Sequence, residues 1–215
     1  KKIIPFEKFG TALIPNKNIQ VEIASAREEK YNSESRKPSK ILYTDLDGDL
    51  LRRDFTINAM AMHVSGEKFG LLTDPYNGLA DIDNKILKTP LDPDETFSED
   101  PLRMMRAAYF SSKLGFKIEE KCFESMKRQS ERIKIVSWER IRDELFKILK
   151  TKKPSIGLRI LQETGLMKIV FPEIDDMYGI EQTAEWNHKD IFDHTLQVVD
   201  NAAKLTDKME IRFAA

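Results

Sequence analysis

The stretch SEDPLRMMRAAYFSSKLGF, residues 98–116, divides the chain into two kinds of pattern. Downstream of it, apolar residues recur every three to four positions, the helical period. Upstream they alternate or form short runs broken by turns. The stretch opens with Ser98, two acids and Pro101, the signature of a helix N-terminus with Ser98 as the expected N-cap, and it closes at Gly115. Leu102, Met105, Ala108 and Tyr109 fall on one face, the side expected to meet a core.

Working outward toward the C-terminus, the segments EEKCFESMKRQSERI (119–133) and SWERIRDELFKILK (137–150) read as amphipathic helices. SIGLRILQETGLMKIVFPEI (155–174) reads as a helix, a glycine turn and a half-turn, and HKDIFDHTLQVVDNAAKL (188–205) as a further helix. Toward the N-terminus, NIQVEIASAR (18–27) alternates at Ile19, Val21 and Ile23, which predicts a strand. NSESRKPS (32–39) reads as a mobile polar loop, and TDLDGDLLRRD (44–54), whose Asp45-x-Asp47-x-Asp49 suits either a metal or a solvated acidic turn, leads into an arginine pair. DFTINAMAMHV (54–64) predicts a helix or a strand-to-helix element. GEKFGLLTDPYNGLADI (66–82) predicts a hairpin-like turn, a short strand and a turn cluster around Gly78. The class is therefore α+β: a mixed head over residues 1–90 followed by helices.

Of 215 residues, 40% are hydrophobic and 33% charged, which excludes a disordered chain. No apolar run approaches the roughly 18 residues of a membrane helix, so no membrane association is expected. One cysteine, Cys122, excludes an internal disulfide framework and fits the cytoplasm. A net charge of −1 excludes a strongly basic nucleic-acid scaffold. KRQSERIK (127–134) and KTKK (150–153) offer local basic surface, although a solvated helix face and a charged helix end account for them as well. The chain begins at Lys1 rather than Met and reads as the interior of a longer one.

Two strings carry chemistry. In EDPLRMMR, Asp100 and Arg103 are three apart and share a helix face. An ion pair supporting the first turn, contributing about 0.2–0.5 kcal/mol, is one reading. The other is a base reader: a carboxylate accepts from an exocyclic amino group while a guanidinium donates to ring acceptors, a pattern matching cytosine and adenine. Uracil and guanine would set a carbonyl against the carboxylate and leave buried polar groups unpaired. In LLRRDFTINA, Arg52 and Arg53 offer planar donor forks to phosphate, and Asp54 and Asn58 suit either a ribose hydroxyl or the orientation of an arginine. An edge strand followed by a capped helix is the bland reading of the same residues. In DPYNGLADI, Gly78 flanked by Asp74 and Asp81 reads as a structural turn. His63 lies in an apolar run and reads as a core or half-buried histidine.

The strings DLLRRDFTINAMA, DPYNGLADI, EDPLRMMRAAYF and SWERIRDELFKIL, in this order, resemble successive motifs of the bacterial class II tRNA nucleotidyltransferases. These are CCA-adding enzymes related to poly(A) polymerases. The resemblance runs from VEIASARE, residues 21–28, to the C-terminus. It implies a truncated polymerase-beta-type nucleotidyltransferase head over residues 1–90, a helical neck over 91–150 that recognises the base and RNA, and a helical body over 151–215 leading into an HD-like domain. It also implies template-independent addition of CMP and AMP from CTP and ATP to the 3′ end of tRNA. Asp100 and Arg103 would read the base, Arg106 would support Arg103 or touch nucleotide, and Arg52, Arg53, Asp54 and Asn58 would surround ribose and triphosphate. Two Mg²⁺ ions would serve the transfer. The family's metal-binding Asp-x-Asp and glycine-rich motif precede VEIASARE and have no counterpart here, so this chain alone is expected not to incorporate nucleotide. Glu22 is a candidate third carboxylate near the metals. His188 and His194 resemble the opening helix of an HD-type phosphohydrolase, with His194 matching a first metal ligand. Such a hydrolase, or a poly(A)-adding or A-only polymerase, is the alternative activity.

Overall fold

The computed structural model describes residues 3–6, 10–15, 19–32, 35–180 and 190–215, with backbone alone over 27–43. At the N-terminal end β1 (Ile4–Phe6), β2 (Thr11–Ile14) and β3 (Val21–Ala24) form an antiparallel meander with Leu13 opposite both Ile4 and Glu22. The strand expected from alternation is therefore present, but Val21 and Ile23 stand exposed on it. β4 (Arg27–Asn32) and β5 (Ser35–Tyr43) pair antiparallel. This corrects the expected loop at 32–39, most of which is strand. The ladder admits Pro38 because, among the described residues, β5 has a neighbour on one edge only and the register shifts beside the Tyr31↔Pro38 pair.

Two more expectations upstream of residue 90 need correction. The acidic stretch is a helix, α1 (Leu46–Leu51): Asp45 caps it by accepting from the Gly48 amide at 2.9 Å, and Asp47 and Asp49 sit in the first turn, where the helix dipole favours acids. Residues 54–64 form no α-helix. They make a 3₁₀ turn, Thr56–Asn58, and then β6 (Ala61–Met62), which pairs with β7 (Leu72–Thr73) across the expected hairpin turn. Burial of Phe55 and Ala59 pins this turn to the core. α2 (Gly78–Asn84) follows, then β8 (Ile86–Leu87), which pairs in parallel with β9 (Lys117–Ile118).

The helical part comprises α3 (Pro93–Glu99), α4 (Leu102–Leu114), α5 (Glu120–Gln129), α6 (Trp138–Leu149), α7 (Pro154–Glu163), α8 (Met167–Val170), α9 (Pro172–Asp175), α10 (Ile191–Leu205) and α11 (Met209–Ala214). Ser98 is not an N-cap; it lies inside α3. Proline disfavours the helical conformation in the residue before it, and Asp100, preceding Pro101, is extended at φ −136°, ψ 98°. Its Oδ1 then accepts from the Leu102 amide at 3.2 Å, at the start of α4. Gly115, with φ +71°, ends α4 as expected.

α4 is buried on nearly every side, with Met104, Met105, Ala107 and Ala108 wholly enclosed. It packs against α6 and α7. Against α7 the backbones almost touch: the Gly157 amide donates to Ser112 Oγ at 2.7 Å. One buried cluster runs from Phe55 through α4 and α6 to Val199 on α10. The stretch expected to give one helix over 119–133 is α5 followed by a 3₁₀ run, Ser130–Ile135. Within 127–134 the cations pair with neighbours: Lys127 with Glu124, Arg128 with Asp94, Arg132 with the Ser98 carbonyl and Lys134 with Glu131. No helix among the described residues is long and apolar enough to cross a membrane.

Candidate functional site

The break at Asp100 swings α4 so that its first two turns face the loop after α1. Arg103 Nη2 donates to the Arg52 carbonyl at 2.8 Å, and Nη1 donates to the Thr96 carbonyl at 3.1 Å and to Glu99 at 3.2 Å. One turn on, Arg106 donates to Asp54 Oδ2 from Nε at 2.8 Å and from Nη2 at 2.5 Å. Asp54 is buried, and its Oδ1 accepts from the Phe55 amide at 2.9 Å and from Asn58 Nδ2 at 3.0 Å. Of the two roles open to Asp54 in the sequence, the structure displays the orienting of an arginine.

Between these residues and α6 lies a cleft of about 700 Å³. Arg53, Asp54, Asn58, Asp100, Arg103 and Arg106 all line it. Arg52 is tied in through its carbonyl. Arg53 reaches back to Asp49 at 2.9 Å. Sequence reasoning missed the third wall, formed by Arg140, Asp143, Glu144 and Lys147 of α6. Arg140 Nη2 donates to Asp100 Oδ2 at 3.0 Å, Lys147 Nζ to Glu144 Oε1 at 2.7 Å, and Glu144 Oε1 stands 4.0 Å from Arg106. The available signal was the spacing 140/144/147, which sets charged residues on the flank of a helix whose other face carries Ile141, Leu145 and Ile148.

DPYNGLADI supports the site rather than lining it. Asp74 accepts from the Gly78 amide at 2.7 Å and the Leu79 amide at 3.0 Å, and Asp81 accepts from Thr56 Oγ1 at 2.6 Å. The Asp74 bonds cap the start of α2, and the Thr56–Asp81 bond holds that helix against the 3₁₀ turn that carries Asn58. His63 is half-buried, as expected. His194 is exposed on α10, while Asp190 caps that helix and Asp193 pairs with Arg159. His188 lies outside the described residues. Glu22 is exposed on β3. Among the described residues no three His, Cys, Asp or Glu side chains come together to hold a metal ion. Asp45 and Asp49 are committed to a helix cap and to Arg53. The described residues therefore do not fit a two-ion centre.

The poly(A) polymerase head-domain family matches residues 1–88, and the family described as a probable RNA- and SrmB-binding site of polymerase A matches residues 115–178. The chain is 41% identical over 176 residues to the multifunctional CCA protein of Vibrio campbellii, covering 79% of this chain and 42% of that protein. It is 37% identical over 203 residues to the protein of the same name from Vibrio vulnificus, covering 90% and 48%. It thus spans less than half the length of these relatives. Among solved structures, the Bacillus stearothermophilus CCA-adding enzyme in complex with CTP superposes at a TM-score of 0.67 with 30% identity, over 77% of this chain and 39% of that one. A tRNA nucleotidyltransferase complexed with a primer tRNA and an incoming ATP analogue superposes at 0.73 with 26% identity, over 99% and 55%. The two motif strings that meet in one cleft, the two family matches and these relatives agree: the chain belongs to the class II CCA-adding enzyme family, related to poly(A) polymerases.

Proposed function

We propose that this chain is the nucleotide-selecting part of a tRNA nucleotidyltransferase that adds CMP and AMP to the tRNA 3′ end without a nucleic-acid template, in the cytoplasm. CTP, ATP and tRNA are its substrates. Residues 1–90 act as head, 91–150 as neck and 151–215 as body. The relatives with bound CTP, or with primer tRNA and an ATP analogue, support this reading. The observation that carries it is the state of Arg103. Three of its hydrogen bonds go to Thr96, Glu99 and Arg52, which fixes the plane of the guanidinium. Nε–H and one Nη2–H remain for a base. Two parallel donors beside the Asp100 carboxylate complement N3 and O2 of cytosine next to its amino group, and N1 of adenine next to its own. Arg140 shares Asp100 Oδ2 and keeps that carboxylate turned toward the cleft. Arg53 at the cleft edge supplies a fork for phosphate.

Equilibrium binding of the four nucleoside triphosphates to the chain tests the reading. CTP and ATP bind at least about tenfold more tightly than UTP and GTP, the discrimination expected from one buried polar group left unpaired. UTP or GTP binding as tightly as CTP overturns it. Comparable affinities for CTP and ATP favour full CCA addition, whereas a strong bias to ATP points to an A-only or poly(A) activity.

A further inference from the structure

Glu144 sits on the face of α6 that lines the cleft, only 4% exposed, and its Oε2 has no hydrogen-bond partner among the described residues. Oε1 is held by Lys147 and lies 4.0 Å from Arg106. A carboxylate oxygen withdrawn from water without a donor is strongly disfavoured, so a cation brought to this carboxylate gains more than it would from a group already satisfied. Across the cleft the complementary condition holds. Arg106, with its side chain 32% exposed, places both Nε and Nη2 on the single oxygen Oδ2 of Asp54. Asp54 Oδ1 is already filled by Phe55 and Asn58. A ligand hydroxyl that reaches for Asp54 must therefore compete with Arg106 for Oδ2.

From this geometry we infer that Arg106 has two seats, Asp54 as in this structure and Glu144 when a sugar hydroxyl of a nucleotide takes Asp54 Oδ2. The move is short. Arg106 Nη1 stands 4.0 Å from Glu144 Oε1, the oxygen that Lys147 holds, so a shift of about 1 Å brings it to charge-assisted hydrogen-bond distance from the carboxylate whose other oxygen, Oε2, has no donor. Because α4 and α6 are packed together, the backbone need not move; rotation within the arginine side chain suffices. Glu144 is thus a positioning residue. It lowers the cost of releasing Asp54 and so couples the presence of a sugar hydroxyl to the position of an arginine one turn from the base-reading pair. The inference rests on reading the cleft as a nucleotide site.

The test is binding of CTP, 2′-deoxy-CTP and 3′-deoxy-CTP to the 215-residue chain and to its Glu144→Gln variant, which keeps the side chain's volume and removes its charge. The wild-type chain binds CTP about tenfold more tightly than one of the deoxy analogues, the effect of one hydrogen bond to a charged group. In E144Q that ratio falls to about twofold or less through weaker binding of CTP alone. Equal weakening of CTP and that analogue, or no change in either, overturns the two-seat mechanism while leaving the nucleotide site standing. No binding of any of the three to the wild-type chain removes the nucleotide reading itself and this inference with it. A measurement on the unmutated protein removes dependence on how the variant folds: the ¹⁵N–¹H signal of Arg106 Nε shifts on addition of CTP and stays in place with the discriminated analogue. An equal shift with both refutes the exchange.

Discussion

Gly78→Ala isolates one close approach on which the cleft depends. A Cβ on Gly78 would lie 2.4 Å from the Thr56 carbonyl oxygen and 3.0 Å from Met60 Cγ and Sδ. Met60 is flexible and can turn away. The Thr56 carbonyl cannot, because Thr56 is fixed through its amide to the Lys88 carbonyl at 2.8 Å and through Oγ1 to Asp81 at 2.6 Å. Ordinary contact needs about 1 Å more separation, so either α2 lifts or the 3₁₀ turn shifts. Helix propensity alone predicts a gain of up to about 1 kcal/mol for alanine over glycine. Against it stand overpacking, about 1–3 kcal/mol, and the weakened Thr56–Asp81 and Asp74 bonds, about 1 kcal/mol each. The net expectation is a loss of about 2–4 kcal/mol, opposite in sign to the propensity. In urea denaturation followed by circular dichroism the midpoint drops by about 1–2 M for an m-value near 2 kcal/mol/M. CTP affinity falls with it, because the displaced turn carries Asn58. Gly70→Ala is the control: nothing stands within 4 Å of its Cβ, and only its φ of +83° opposes a side chain, at a cost of about 1–2 kcal/mol with CTP affinity unchanged. A Gly78→Ala midpoint at or above that of the wild type would refute the steric argument.

Gly157→Ala places a Cβ 2.7 Å from Ser112 Oγ, 2.8 Å from Ile148 Cγ2 and 2.9 Å from the Ala108 carbonyl, and should cost about 1–3 kcal/mol in the same assay; a more stable variant would mean that α4 and α7 are not packed backbone to backbone. Arg103→Met leaves the Arg52 carbonyl without its Arg103 donor and the Thr96 carbonyl with only the 3.5 Å bond from the Asp100 amide, and should lose about 1–3 kcal/mol as well as nucleotide discrimination, whereas full stability would show that the guanidinium is not held as described. Cys122 is wholly buried, and that burial pushes its thiol from 9.0 up to about 11. Alkylation by iodoacetamide at pH 8.5 should therefore be at least about a hundredfold slower than for an exposed thiol. Because the folded-state value is the raised one, the stabilisation of about 2–3 kcal/mol is complete below pH 9 and is lost as pH climbs toward 11; a midpoint that is flat over that interval contradicts it.

How much could be read from the chain follows from the range of the forces involved. Helix periodicity is local, so the helices after residue 98 and the stop at Gly115 were visible in one dimension, as were the strand around Val21 and the hairpin before Asp74. The chemistry of RRDFT and EDPLRMMR was visible for the same reason: donor and acceptor geometry belongs to side chains wherever they stand. Local signals misled where two of them competed. Ser98 resembled an N-cap, but Pro101 controlled Asp100 more strongly and moved the helix start to Leu102. The helix or strand-to-helix element expected over residues 54–64 gave way to a 3₁₀ turn and a short strand, with Phe55 and Ala59 buried.

Only the tertiary structure decided which residues meet. Asp54 and Arg106 are 52 positions apart, Asp100 and Arg140 are 40 apart, and no local pattern links them. The burial of Glu144 opposite Arg106 likewise depends on α4 and α6 sharing one core. The sequence by itself determined what kinds of group the site would hold. Their pairing, and the second carboxylate waiting beside Arg106, came from packing, because burial and charge coupling act through space and not along the chain.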